Sequence, residues 1–273
     1  MSTTADPITT EVVRNFVLSC AEDMNASLWR SAHSAVIYEG KDSAVALMDE
    51  HGNMLGQSTG VPLFIGAIDV CVHHVKDYYG DDIAEGDIFI MNDSYMQGTH
   101  LHDVTAIGPI FHQGELVGFG AARAHWGDIG AIDPGSTMGS TNIYQEGLRL
   151  GPTRIIRQGK QVREWYDHLR LNTRLPDATI GDLGSQVAAI RTGERRLAQL
   201  LDRIGSQTYR AACQNIFEQA RRMDREAIAA IADGTWSREG YLDNDGVGDE
   251  PIKVALSLTV SGENLVVDLT GSS

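Results

Sequence analysis

The sequence lacks the features that mark membrane and secreted proteins. No apolar run in its 273 residues approaches the roughly 18 residues that a membrane-spanning helix needs. The first residues, MSTTADPITTEVV, have neither the basic start nor the apolar stretch of a signal peptide. We therefore expect a cytoplasmic protein that does not bind a membrane.

Cysteine and positive charge are also scarce. The three cysteines, Cys20, Cys71 and Cys213, show no spacing typical of metal sites or redox pairs, which favours thiols in a reducing compartment. The chain has 22 basic and 37 acidic residues and a net charge of −15, so nucleic acid and anionic membranes are not expected partners. With 42% hydrophobic residues, the chain can form a sizeable core.

Lysine is absent between Lys76 and Lys160, in a region that concentrates imidazole and carboxylate groups. These groups belong to His100, His102, Asp103, His125 and Asp128. Both kinds of side chain are ligands for divalent transition metals. The sequence therefore predicts a metal site formed by the stretches MNDSYMQGTHLHD and RAHWGD.

The spacing of the first three of these residues allows two geometries. In an extended strand, residues two apart share a face, so His100 and His102 would point together. In a turn, residues three apart meet, which pairs His100 with Asp103. Gly98 precedes the pair, and glycine adopts backbone conformations that other residues avoid, which gives the turn some additional weight.

A third ligand is expected from a hairpin. Residues 104–112 and 115–125 are predicted to form two strands that are joined near Gln113 and Gly114. Antiparallel pairing would return His125 to the end of the sheet where the first strand begins. Two imidazoles and one carboxylate would leave coordination positions open for water or substrate.

Two further carboxylates are candidates for proton transfer. Asp128 lies in a glycine-rich stretch, residues 127–139, that is not expected to form regular structure. Glu146 lies in the next polar turn and is the stronger acid/base candidate. The glycine-rich stretch lacks the GxxxxGK[ST] spacing of a phosphate-binding loop, so we do not expect this chain to hydrolyse ATP by itself.

The apolar patterns predict an α+β fold that begins with a helix and a hairpin. The first helix should start at the Asp6-Pro7 cap and extend to about Arg30. A strand hairpin is expected around Gly52, and a second helix from about Ile65 to Tyr79. A mixed or antiparallel sheet would carry the site.

The second half of the sequence predicts helices and then strands. Residues 163–172 should form a short amphipathic helix, and two long helices broken at Gly205 should form a helical hairpin. The expected domains are a metal-site domain at 1–175, the helical hairpin at 176–234 and the start of a β segment at 235–273. We expect that segment to continue in a further part of the polypeptide or in a separate chain.

A long ordered motif resembles the hydantoinase B/oxoprolinase family. It is the run MNDSYMQGTHLHDVTAIGPIFHQGELVGFGAARAHWGDIGAIDPGS, followed by NIYQEGLRL. Members of that family show an ND-Y-GTH-DV stretch, a hairpin, an RAHH-D-GG-like segment and a PGS. The resemblance covers the whole chain and implies a metal-binding subunit whose ligands fall on His100, Asp103 and His125, with His102 outside the ligand set.

The resemblance also implies a reaction and a partner. A hydantoinase A-type subunit would use ATP to phosphorylate the oxygen of a cyclic amide, such as a hydantoin, oxoproline or a lactam, and this chain would supply the metal for hydrolysis. The alternatives are a subunit of an ATP-dependent ketone carboxylase of the acetone or acetophenone type, and a structural subunit with an inactive site. Manganese or zinc is the expected metal, and iron also suits these ligands.

Overall fold

A seven-stranded sheet carries most of the first part of the chain in a computed structural model that describes residues 5–135 and 139–273. Its strands are β1 (Ser43–Asp49), β2 (Met54–Gln57), β3 (Ile88–Met91), β4 (Asp103–His112), β5 (Glu115–His125), β6 (Thr153–Arg157) and β7 (Lys160–Gln161). They lie in the order β2-β1-β5-β4-β3-β6-β7, and every pair is antiparallel. The predicted α+β class is confirmed, and the sheet is of the antiparallel kind.

The helices fall close to the predicted positions. They are α1 (Pro7–Ser31), α2 (Ala35–Tyr38), α3 (Pro62–Ile65), α4 (Ile68–Tyr79), α5 (Ser94–Gln97), α6 (Arg163–Asn172), α7 (Pro176–Ile204) and α8 (Ser206–Ala229). The Asp6 carboxylate accepts hydrogen bonds from the backbone N–H groups of Ile8 and Thr9, so the predicted cap of α1 is confirmed. None of the helices in the described part of the chain is long and apolar enough to cross a membrane.

Helices cover both faces of the large sheet. α1 and α7 pack side by side on one face, and α7 crosses β4 and β5. The close approach of α7 depends on Gly108, because a Cβ atom there would lie 2.6 Å from a side-chain carbon of Ile190. On the other face, Cys71, Val72 and Val75 of α4 join a buried cluster with apolar residues of the strands.

The neighbour of α7 differs from the prediction. The two long helices and the break at Gly205 are confirmed. The sequence interpretation paired α7 with α8 as a hairpin, whereas the helix alongside α7 is α1. An apolar stripe shows that a helix must be covered, but it does not specify which helix covers it.

The chain divides into two compact units, one ending at Cys213 and the other comprising Gln214–Ser273. This division falls within α8, and the boundaries expected at 175 and 234 stay predictions. The second unit contains the three antiparallel strands β8 (Gly234–Leu242), β9 (Ile252–Ser261) and β10 (Asn264–Asp268), in the order β10-β9-β8. These strands form the predicted β segment.

Candidate metal centre

The hairpin of β4 and β5 brings two of the predicted ligands together. Asp103 is the first residue of β4, His125 is the last residue of β5, and the two lie directly opposite each other in the register. The predicted return of His125 is therefore confirmed. Both side chains share the α4 face of the sheet with Arg123, because residues two apart on a strand point the same way.

A turn before β4 supplies the third residue. Gly98 ends α5 with a φ of 77°, a left-handed conformation that suits glycine. The Asp103 backbone N–H then donates to the His100 carbonyl at 3.1 Å, and the His100 N–H donates to the Asp103 carboxylate at 3.2 Å. The structure therefore has the turn geometry, which pairs His100 with Asp103, and not the strand geometry, which pairs His100 with His102.

The three side chains converge on the Asp103 carboxylate. His100 Nδ1 lies 2.7 Å from Asp103 Oδ2, and His125 Nδ1 lies 2.9 Å from Asp103 Oδ1. One ligand atom from each residue can be chosen so that all three lie within 4.8 Å of one another. The Asp103 side chain is fully buried, whereas that of His100 is 50% exposed, so this cluster opens to solvent on the His100 side.

The hydrogen bonds between these groups set their charges. Burial by itself raises the pKa of Asp103, but the hydrogen bonds from His100 and His125 outweigh burial and lower that pKa to about 2. The Asp103 carboxylate is therefore ionised at neutral pH. The same hydrogen bond raises the pKa of His100, because it stabilises the protonated imidazole.

His102 is a packing partner of the site. Its side chain is buried, and its ring stacks on the ring of His125 at a centroid distance of 5.2 Å and an angle of 12°. Burial, together with the neighbouring imidazoles, lowers the pKa of His102 to about 4, so its ring is neutral. His102 therefore packs directly on one of the predicted ligands, and its place outside the ligand set stays a prediction.

Asp42 is not among the predicted site residues, because a charged residue in a loop before a strand is more often an exposed loop charge than part of a site. Asp42 Oδ2 lies 3.9 Å from His125 Nδ1, and the Asp42 carbonyl accepts from the His125 backbone N–H at 3.1 Å. Burial raises the pKa of this carboxyl. The contact follows from the pairing of β1 with β5, in which Ser43 lies opposite Ala124 and the preceding residue therefore reaches His125; the sequence carries no local signal for this pairing.

The two predicted proton-transfer residues differ in their surroundings. The buried Asp128 carboxylate accepts from Arg174 Nη1 at 2.8 Å and from the Gly130 N–H at 3.0 Å. Asp128 thus lies in an ion pair outside the three-residue cluster. Glu146 is half-buried and acts on the cluster, because its charge adds to the effect of Asp103 in raising the pKa of His100.

Part of the glycine-rich stretch lies outside the described residues, namely 136–138, which include the serine of the PGS motif. The described part, residues 127–135, forms no helix or strand, as predicted. Its ends are joined by a hydrogen bond from the Gly135 N–H to the Gly127 carbonyl at 2.9 Å.

A buried polar network holds the turn between α5 and β4, which carries His100, through hydrogen bonds. The Gln97 side-chain amide donates to the Asp103 carbonyl at 2.7 Å, and its oxygen accepts from the Thr105 hydroxyl at 3.2 Å. The fully buried Arg123 donates through Nε to the Thr105 hydroxyl at 2.8 Å and through Nη2 to Cys71 Sγ at 3.0 Å. Sequence reasoning missed this network, because its members come from four separate elements.

Comparison with known proteins assigns the chain to a family. Residues 6–273 match the family described as hydantoinase B/oxoprolinase. The chain belongs to the hydantoinase B/oxoprolinase family. The resemblance predicted from the motifs is therefore confirmed.

Members of the hydantoinase B/oxoprolinase family with different reactions resemble this chain. A protein of Pseudomonas sp. strain NS671, named as one subunit of a D-/L-hydantoinase, is 33% identical over 98% of this chain and 47% of its own length. The crystal structure of the ATP-dependent caprolactamase from Pseudomonas jessenii matches with a TM-score of 0.86 and 30% identity, over 97% of this chain and 46% of that one. The acetophenone carboxylase delta subunit of Aromatoleum aromaticum is 27% identical over 88% of this chain and 36% of its own length.

The chain spans about half the length of the hydantoinase and caprolactamase relatives. All three relatives belong to enzymes, and two are named as subunits.

Proposed function

We propose that this chain is the metal-binding subunit of an ATP-dependent amidohydrolase that acts on a cyclic amide. His100, Asp103 and His125 would hold one divalent transition metal, with manganese or zinc preferred and iron also compatible. The observation that carries the proposal is the convergence of these three side chains at the end of the large sheet where β4 begins and β5 ends. The names of the hydantoinase and caprolactamase relatives support the substrate class.

The donor set fits such an ion. Two imidazoles and one carboxylate suit zinc, manganese or iron, whereas calcium prefers a shell made of oxygen atoms. The Asp103 carboxylate is already ionised, and its charge would offset that of the cation. The half-exposed His100 leaves a path by which a cation and a substrate can enter.

The side chains around the three proposed ligands have different roles in the proposed reaction. A bound divalent cation would supply a Lewis acid that polarises an oxygen of the activated amide and lowers the pKa of water. We assign proton transfer to Asp42, whose carboxylate lies 3.9 Å from His125 Nδ1, and to Glu146, whose charge helps to raise the pKa of His100. We assign Asp128 to holding the glycine-rich loop, because Arg174 and the Gly130 N–H already engage its carboxylate.

The ATP-using step would belong to a partner of the hydantoinase A type in a hetero-oligomer. This chain has no phosphate-binding loop of recognised spacing. We expect the purified chain to show no ATPase activity, and the complete assembly to show ATPase activity that depends on substrate. ATP hydrolysis by this chain alone, abolished by a substitution within it, would contradict this expectation.

Ketone carboxylation is the second candidate function. It is favoured by the relative named acetophenone carboxylase delta subunit, which matches 88% of this chain. In that reaction, an enol phosphate made by the partner would meet bicarbonate or CO2 at the same three residues. The chemistry of the three side chains suits a ring carbonyl and a ketone equally.

One assay separates the two functions. The assembly purified with its partner is given ATP and either a hydantoin or lactam, or a ketone with bicarbonate. Ring opening with ATP consumption supports the amidohydrolase, and carboxylate formation supports the carboxylase. If an assembly that contains metal forms neither product, the result supports the remaining alternative, a structural subunit with an inactive site.

A further inference from the structure

The small sheet of β8, β9 and β10 is amphipathic. Residues directly opposite in an antiparallel pair lie on one face, as do residues two apart on one strand. The register places Trp236 and Val267 on either side of Leu258, and Arg238 opposite Leu256. One face, called here the apolar face, therefore carries Trp236, Leu242, Val254, Leu256, Leu265 and Val267.

The opposite face is suited to water. The hydroxyl of Ser237 donates across the strands to that of Ser257 at 3.4 Å. Lys253 Nζ lies 2.6 Å from a carboxylate oxygen of Glu239 on the neighbouring strand. Exposed hydroxyl and ion pairs of this kind lose little by remaining hydrated. This face therefore needs no covering layer.

Most of the apolar face, by contrast, is exposed, although Val260 near the end of β9 is buried. Its six named side chains are between 39% and 58% exposed. A two-sided sheet normally turns its apolar face towards a second layer, and contiguous exposed apolar patches mark interaction surfaces. The alternation of apolar and polar residues along β9, Ile252–Ser261, is typical of a strand with one covered face, yet among the described residues Val254 and Leu256 remain about 40% exposed on it.

The length of the relatives indicates what covers it. The chain matches the hydantoinase relative over 98% of its own residues but over only 47% of that protein, and the caprolactamase chain over 46%. The relatives therefore contain the counterpart of this sheet together with about as much polypeptide again. We propose that the apolar face docks the polypeptide that corresponds to this remaining half, whether it is joined to this chain or separate from it.

A second copy of this chain is a poorer occupant. Each copy carries a net charge of −15, so two copies repel each other when they approach. Arg238, which lies on the apolar face, adds a positive charge that a different polypeptide can pair with a carboxylate. The proposal depends neither on the metal nor on the reaction, so it stands or falls separately from the proposed function.

Thiol labelling tests the proposal. Leu256→Cys places a thiol on the apolar face, and the matched control Ser237→Cys places a nearly isosteric one on the polar face of the adjacent strand. The native thiols Cys20, Cys71 and Cys213 are buried and give little background. The rate of maleimide labelling is measured for this chain alone and for the native assembly, which is isolated from source cells through a tag on this chain.

We expect the Leu256→Cys thiol to react about tenfold more slowly in the native assembly than in the chain alone, because covered thiols are inaccessible to the reagent. Ser237→Cys should react at similar rates in both. A bifunctional maleimide reagent on Leu256→Cys should then cross-link to a peptide that aligns with the second half of the caprolactamase chain. Val254→Cys serves as a second position if Leu256→Cys does not fold.

Two results would overturn the proposal. Equal labelling of Leu256→Cys in both preparations would show that nothing covers the apolar face. Protection that already occurs in the chain alone and grows with its concentration would assign the face to a second copy. The metal content of both variants is measured in the same samples, so that loss of the metal centre is recognised independently of docking.

Discussion

The seven-stranded and the three-stranded sheet differ in how their faces are covered. β4 and β5 of the large sheet are buried on both faces between α7 and α4, and even the polar Arg123 and Asp103 have no exposed surface there. The small sheet has the same antiparallel pairing and a clear alternation of apolar and polar residues, yet its β10 strand is exposed along its whole length. Hydrogen-bonded strands alone therefore do not decide where a rigid site can form.

The helices that cover the large sheet allow its side chains to form a site with fixed geometry. A buried carboxylate beside two imidazoles keeps a fixed position because packing and hydrogen bonds hold each of them, as Gln97 does for the turn before β4. A carboxylate on the small sheet, such as that of Asp268, is exposed and accepts a hydrogen bond from the Thr270 backbone N–H within its own turn. The contrast predicts that equivalent substitutions in the two sheets have very different effects.

Removal of a central carboxylate should give the largest difference. Asp103→Ala deletes the group on which His100 and His125 converge, so the affinity for manganese or zinc should fall by at least about 100-fold. Asp268→Ala, in the small sheet, should leave that affinity unchanged. Metal bound after dialysis is measured by elemental analysis, with His102→Ala as a further variant that should retain metal. If Asp103→Ala keeps its full metal content, the ion lies elsewhere. If His102→Ala alone loses the metal, His102 is a ligand together with His100, as in the strand geometry.

Matched leucine truncations should separate the two sheets by stability. Leu47→Ala removes a fully buried side chain that packs near Gly193 of α7, which should lower the free energy of unfolding by about 2 to 5 kcal/mol. Leu256→Ala removes a side chain that is 40% exposed on the small sheet, and it should cost less than about 1 kcal/mol. Urea unfolding of the isolated chain measures both. Equal losses would mean that the apolar face is covered within this chain.

Acid should weaken the large sheet through Asp103. The pKa of this carboxyl is about 2 in the folded chain and 3.8 when it is unperturbed. Because folding lowers the pKa, the stabilisation is present above pH 3.8 and is lost as the pH falls towards 2, a loss of about 2 kcal/mol in the metal-free chain. The free energy of unfolding is measured between pH 5 and pH 2, about the range over which this carboxyl titrates in the two states. Asp103→Asn should lack this pH-dependent loss of unfolding free energy, whereas Asp268→Asn should show the same loss as the wild type. Identical curves for all three proteins would show that Asp103 does not cause the loss.

Loss of the polar support should give the smallest effect on the large sheet. Gln97→Met keeps the volume but leaves the Asp103 carbonyl and the Thr105 hydroxyl without this partner, which should cost about 1 to 2 kcal/mol of unfolding free energy. Metal affinity should also fall by about tenfold, because the turn that carries His100 loses its anchor. Ser237→Ala, which removes a hydroxyl pair on the small sheet, is the control and should change neither quantity. Unchanged metal binding in Gln97→Met would limit the network to a role in folding.

Much of this arrangement could be predicted from local patterns. The cap at Asp6, the hairpin around Gly52 and the pairing of residues 104–112 with 115–125 follow from turn residues and periodicity, and they agree with the structure. The helix expected from about Ile65 begins at Ile68, because Pro62–Ile65 forms the separate short helix α3, which is capped by Gly66. The strand register then places Asp103 opposite His125, so part of the site was also accessible to sequence reasoning.

The sequence by itself determined the elements, the hairpin that carries the candidate ligands and the family, because each depends on residues that are near one another or form an ordered motif. Only the tertiary structure decided that Asp42 reaches His125, that α1 covers α7, that Asp128 pairs with Arg174 and that most of the apolar face of the small sheet is exposed. These facts depend on pairs that are far apart in the chain. An apolar stripe or a charge has the same local signature whichever distant group it contacts, so the choice between partners is made only when the layers pack together.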